Sequence, residues 1–202
     1  MTTIVYPTLA RAPQSVEIGL KSNSQVLVSP LSGDTQTLEL PGARWTLTFS
    51  YTDLVRADAA ELEAFLAQLR GQANRARVPV WGRVLPRGSW LGTPLVKGGS
   101  QTGASLACDG FTAGATVKRG DMLNVGTAGE LKRVVTDATA DGSGNLTLTF
   151  EPPLRVSPAD NAALVAINPV VPFMIPSDAH LKTTIGQGDR SDVTFDLVEL
   201  FA

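Results

Sequence analysis

Cysteine and histidine are almost missing from this chain. One of each occurs in 202 residues, Cys108 and His180. A single cysteine excludes an intramolecular disulfide framework. A cysteine nucleophile would need a partner base, and the only histidine lies far away in sequence. Cys108 sits in SLACDGF, an apolar–polar alternation, and reads as a small buried hydrophobe. His180 has no metal-ligand partner spaced near it and reads as a loop or surface histidine. An excess of one charge is also missing, with 17 Lys and Arg against 19 Asp and Glu and a net charge of −2. That gives no support to nucleic-acid binding through phosphates, which needs a basic patch. Arg70, Arg75 and Arg77 are the one basic stretch, and they read as a solvated helix end. No run approaches the ~20 apolar residues of a membrane span. MTTIVYPTLARAP lacks the basic and apolar regions of a signal peptide. The expectation is a protein folded in a cytoplasm, without membrane insertion.

The chain does hold the apolar content of a globular protein, 43%, which argues against disorder. Two weak strand patterns, TIVYPTL and SVEIGL, open it, and QVLVSPLSG follows as a short alternation ending in a turn. The strongest strand is ARWTLTFSYTDL. Trp45, Leu47, Phe49 and Tyr51 point one way, and Thr46, Thr48, Ser50 and Thr52 the other. One face is expected in a core, and the hydroxyl face toward water or a neighbouring subunit. RADAAELEAFLAQLRGQANRA is the one convincing helix. Leu62, Phe65, Leu66 and Leu69 form its apolar stripe. Asp58 reads as its N-cap with Glu61 completing a capping box, and Gly71 as a possible stop. Arg77–Leu85 reads as a further strand with Val78, Val80 and Val84 inward and Pro79 marking an edge or an irregular start.

Character changes after Leu85-Pro86-Arg87-Gly88-Ser89. WLGTPLV, SLACDGF, ATVKRGDMLNVG, ELKRVVTD, NLTLTFEPPL and ALVAINPVV are short strand patterns between Gly- and Ser-rich turns, as in a small barrel or sandwich. DVTFDLVELFA then repeats the alternation of the Trp45 strand, with Val193, Phe195 and Leu197 set against Thr194, Asp196 and Val198. These two strands are expected in one sheet. The fold class is therefore mainly β, with one helix packed on a sheet and a second small β domain inserted into the first. The boundaries are 1–87 and 169–202 for the outer domain and 88–168 for the inserted one.

No catalytic constellation is present. Asp137, Thr139, Asp141 and Gly142 match the first positions of an EF-hand calcium loop. Leu148 stands where the bidentate Glu belongs, so the segment reads as a hairpin loop with Gly142 and Gly144 at positive φ. Lys118-Arg119-Gly120-Asp121 reads as a turn. KGGSQTG lacks the Lys-Ser/Thr of a phosphate loop. No short motif points to a carboxylate pair for glycoside hydrolysis. Trp81 and Trp90 could stack on a sugar, although packing is the simpler role. No enzyme activity, cofactor or metal is expected.

The run SPLSGDTQTLELPGARWTLTFSYTDLVRADAAELEAFLAQLRGQANRARVPVWG resembles the N-terminal part of the distal tail proteins of long-tailed bacteriophages. GDMLNV, LKRVV and ADGSGNLTLTFEPPLR, with EPPLR at 151–155 the most distinctive piece, are similar to the domain those proteins carry next. The resemblance implies a structural virion protein whose outer, β-sandwich-like domain forms a hexameric ring at the tip of the tail tube. That ring joins tube protein to tail-tip hub protein and lets DNA pass. The second domain would project outward. At about eighty residues it fits attachment of tail fibres or spacing better than receptor binding. Lumen or assembly residues would be Thr46, Thr48, Ser50 and Thr52, with Ser32, Asp34 and Gln36 in the preceding loop. Two other readings stay open: another tube or minor tail protein, and a carbohydrate-binding or hydrolytic module.

Overall fold

A computed structural model describes residues 2–126, 129–178 and 182–200. His180 lies outside them. In chain order come β1 (Thr3–Val5), β2 (Ser15–Lys21), β3 (Ser24–Val28), β4 (Thr35–Glu39), β5 (Arg44–Leu54), α1 (Arg56–Leu69) and β6 (Arg75–Pro79). Eight strands follow: β7 (Gly92–Val96), β8 (Gly103–Phe111), β9 (Thr116–Val117), β10 (Met122–Val125), β11 (Glu130–Val134), β12 (Ala138–Thr139), β13 (Leu146–Leu154) and β14 (Leu164–Val165). The chain ends with β15 (Val170–Met174), β16 (Thr183–Ile185) and β17 (Ser191–Glu199). The protein is mainly β, with a single helix packed on a sheet and a second sheet closed almost into a barrel.

The large sheet runs β1-β6-β15-β17-β5-β2, with β16 beside β17. β5 and β17 pair antiparallel in the register Tyr51↔Val193, Phe49↔Phe195 and Leu47↔Leu197, so both alternations face one core. Trp45, Leu47, Phe49 and Tyr51 are buried there, in one core cluster with the α1 stripe of Leu62, Phe65, Leu66 and Leu69. Each such side chain contributes about 1.5–3 kcal/mol of burial, which fixes the helix on this face.

The helix ends differ from the sequence reading. Its N-cap is Val55 in an extended conformation, with no side-chain cap. Asp58 is in the first turn instead, where its carboxylate accepts the Ala10 N–H at 3.3 Å and meets the positive end of the helix dipole. At the other end Arg70 takes a left-handed conformation and Gly71 follows at φ 62°. A Cβ on Gly71 would stand 2.3 Å from Asp178 Oδ1, so glycine is required there by space as well as by φ. The strand after the helix is also shorter than expected. It stops at Pro79, and Val84 is exposed. β6 is not an edge strand, because β1 and β15 flank it. β1 nevertheless pairs only as far as Arg77, so Pro79 lies beyond that ladder.

Tyr6 lies against Phe49 and Phe65, and its hydroxyl is hydrogen-bonded to that of Tyr51. These are the only tyrosines in the chain. Burial pushes both phenols above their ordinary range. The folded state therefore favours the neutral forms. Their contribution to stability is complete below the unfolded pKa near 10 and is lost as pH rises above it. A spectrophotometric titration should show no tyrosinate at pH 10.5 and then cooperative ionisation together with alkaline unfolding. Gradual ionisation near pH 10 with the fold intact would contradict the buried pair.

The second sheet runs β14-β10-β11-β13-β8-β7. A bridge between Leu95 and Ala163 closes it, with Val96 N–H donating to Ala162 O and Asn161 N–H to Val96 O, both at 2.9 Å. Leu106, Cys108, Leu123, Leu148 and Phe150 fill this barrel at 0% exposure. Cys108 thus packs as a small hydrophobe, and burial lifts its thiol to about 12.

Candidate functional site

The surfaces most suited to a function are a projecting ribbon and a hydroxyl-rich sheet face. β3 and β4 pair only with each other, in the register Ser24↔Glu39 to Val28↔Thr35. A bond from Leu40 N–H to Asn23 O closes the base of the ribbon. Every residue of both strands is exposed. Val26 and Val28 share one face with Thr35 and Thr37. Leu27 and Leu38 share the other with Gln25 and Gln36. At the tip Ser32 Oγ donates to Asp34 Oδ2 at 2.7 Å, Gly33 N–H donates to Ser29 O, and Leu31 is 99% exposed. A two-stranded ribbon is marginal alone in water, and one with apolar side chains on both faces is built to be covered.

The residues expected to line a lumen fall on two surfaces. Ser32, Asp34 and Gln36 belong to the ribbon. Thr46, Thr48, Ser50 and Thr52 line the outer face of β5, all half-buried. Glu17 and Asp196 flank Thr48, and Ser15 and Thr194 flank Ser50. Thr48 Oγ1 donates to Asp196 Oδ1 at 2.6 Å, and Thr52 is hydrogen-bonded to Gln14. These central rows carry hydroxyls and carboxylates but no lysine or arginine.

A buried polar junction joins the sheet to the barrel, and sequence reasoning missed it. The β17 alternation continues inward past Leu197, so Glu199 sits at 0% exposure where an apolar residue would be expected. Its carboxylate accepts from Trp45 N–H at 3.1 Å, Leu131 N–H at 3.0 Å and Arg155 Nη2 at 2.7 Å. Trp45 Nε1 donates to Leu131 O at 2.9 Å, and the Arg133 guanidinium lies 4.7 Å from the centre of the indole. Beside it Glu130 takes the Lys132 ammonium at 2.6 Å and the N–H groups of Arg155 and Val156. Burial pulls the Lys132 ammonium below the usual lysine range, and Glu130 opposes that shift. The inward position of Glu199 was the available signal, since its alternation with Val193, Phe195 and Leu197 is visible in the sequence.

Between this junction and the ribbon base lies a groove of about 670 Å³. Leu40, Pro41, Pro152, Pro153, Leu154 and Val156 form much of its wall, and Glu130 and Arg155 also line it.

The remaining sequence motifs resolve as structure. Asp141 Oδ1 accepts the N–H groups of Ser143 and Asn145 at 2.8 Å, closing a turn in which Gly144 alone takes positive φ, while Gly142 does not. Among the described residues no His, Cys, Asp and Glu group is arranged to hold a metal. Asp121 is 2% exposed and accepts from Arg87 N–H, Gly88 N–H, Lys118 N–H and Trp90 Nε1. It therefore clamps the segment through which the chain enters the barrel. Asp121→Ala should cost about 2–4 kcal/mol by leaving these donors unpaired. Urea unfolding and a red-shifted Trp90 emission would check it; a loss under about 1 kcal/mol would count against the clamp. Trp90 is buried beside Phe111, whereas Trp81 is 36% exposed. Among the described residues no helix is long and apolar enough to cross a membrane. No protein-family model matches the chain, and no curated protein matches it significantly.

Proposed function

We propose that this protein is a structural ring component of a phage tail tip, a distal tail protein, with no catalytic role. Six copies would form the ring, joining tube protein to hub protein and passing DNA through the centre. The observation that carries this reading is the ribbon, whose apolar side chains on both faces call for neighbouring protein. The outer face of β5 supports it. Its central rows of hydroxyls and carboxylates offer the phosphate backbone no cation during transit, and the basic pair Lys21 and Arg44 stands at one end of the face. The barrel would project from the ring and serve tail fibres or spacing. The carbohydrate-binding reading loses one of its two stacking residues, because Trp90 is buried with its indole N–H already paired.

Light scattering with negative-stain imaging of the purified protein tests the reading. The expected result is a six-fold ring with an open centre, and a concentration-independent monomer would count against it. In the assembled tail, Thr48→Lys with Ser50→Lys should slow DNA ejection while leaving the fold intact. Normal ejection by that double variant would move the lumen to another face.

A further inference from the structure

We propose that the ribbon tip of one copy, Val28–Leu31, seats in the groove between ribbon base and barrel of the next copy. This rests on the ring reading above and names the contact that would build it. The knob is well defined. Leu31 is 99% exposed and Val28 60%, and the tip segment VSPLSG carries no charge. The hole matches it in chemistry. Leu40, the three prolines, Leu154 and Val156 offer apolar wall; of the charges that reach the groove, Glu130 and Arg155 are bonded within the subunit and Glu39 stands at its exposed rim. Its volume of about 670 Å³ falls among cavities of roughly 300–1,000 Å³ that enclose whole small ligands. That is ample for a few side chains.

The geometry sets which copy is reached. Leu40 and Pro41, at the base of the ribbon, line the groove, while Leu31 is at the far end of the paired strands. A paired ribbon of this length spans roughly 20 Å, so the tip is held away from its own groove. Knob and hole are different surfaces of one subunit, and such a contact is heterologous, each copy passing the same bond to the next. In a hexagon the side equals the radius. A step of roughly 20 Å therefore places the ribbons on a circle of similar radius, which leaves room for a DNA duplex. The ribbon supplies about sixteen residues, most of one side of an interface that commonly takes 20–30.

Disulfide trapping between separate chains tests it. Leu31→Cys and Val156→Cys proteins are made singly and mixed under mild oxidation. Cys108 is fully buried and stays out of the chemistry. A cross-linked dimer should form in the mixture and in neither protein alone, since bonding needs Cα atoms within about 7 Å. Leu154→Cys serves as a second groove position, and thermal unfolding confirms that each variant is folded. The double variant should give a ladder ending at six chains, and Leu31→Asp should weaken assembly tenfold or more. Rings without cross-links at either groove position would overturn this seating and leave the ring reading standing. Neither rings nor cross-links would remove both.

Discussion

The Glu199→Ala protein is expected to melt about 6–20 °C below the parent. Glu199 is fully buried and receives Trp45 N–H, Leu131 N–H and the Arg155 guanidinium. Removing it strands two backbone donors and leaves a cation in a site shaped for an ion pair. Breaking a buried pair on one side costs about 3–5 kcal/mol, and in a chain of this size each kcal/mol moves Tm by about 2–4 °C. Glu199→Gln keeps an acceptor and should lie between the two. Thermal and urea unfolding of the three proteins provides the measurement. A shift below about 1 kcal/mol would mean that water replaces the carboxylate and that the junction contributes little. Arg155→Ala removes the same pair from the other side, so its effect should not add fully to that of Glu199→Ala.

Removal of the ribbon should have the opposite profile: complete loss of assembly at almost no cost in stability. Asn23 and Leu40 are already bonded at its base, so a two-residue turn can join them in place of Ser24–Glu39. No residue of β3 or β4 is buried, and none of their side chains belongs to either core. The shortened chain is expected to unfold within a few degrees of the parent and to run as a monomer. Light scattering and thermal unfolding together give the answer. Rings from the shortened protein would show that the ribbon is dispensable and would defeat its role in assembly.

The elements legible in the sequence were those whose side chains repeat with the period of their own structure. Trp45 to Tyr51 and Val193 to Leu197 alternate without interruption, and Leu62, Phe65, Leu66 and Leu69 keep helical spacing. Their shared core follows from patterning alone. Boundaries were less legible, because tertiary contacts decide them. Asp58 has the chemistry of an N-cap, but Ala10 claims its carboxylate while Val55 opens the helix. Ribbon pairing was hidden by mixed composition on both faces, which is neither a core alternation nor a plain loop. The junction was the least legible. The Glu130–Lys132 pair, Arg155 and Glu199 lie far apart along the chain, and only the folded sheet and barrel bring their charges together.

Pro79 and Val170 are directly opposed neighbours, the last residue of β6 and the first of β15. To the large sheet, the roughly ninety residues between them are one oversized hairpin loop, whose closure entropy grows only slowly with length. The barrel is in that sense a cartridge, loaded through two adjacent ports. The socket is less permissive than the ports. Leu131 and Met122 complete the large core, and the Leu131 backbone engages both Trp45 and Glu199. A replacement cartridge of any shape could be threaded in, but only one that brings its own lid for Trp45 and its own counter-charge for Glu199 would seat.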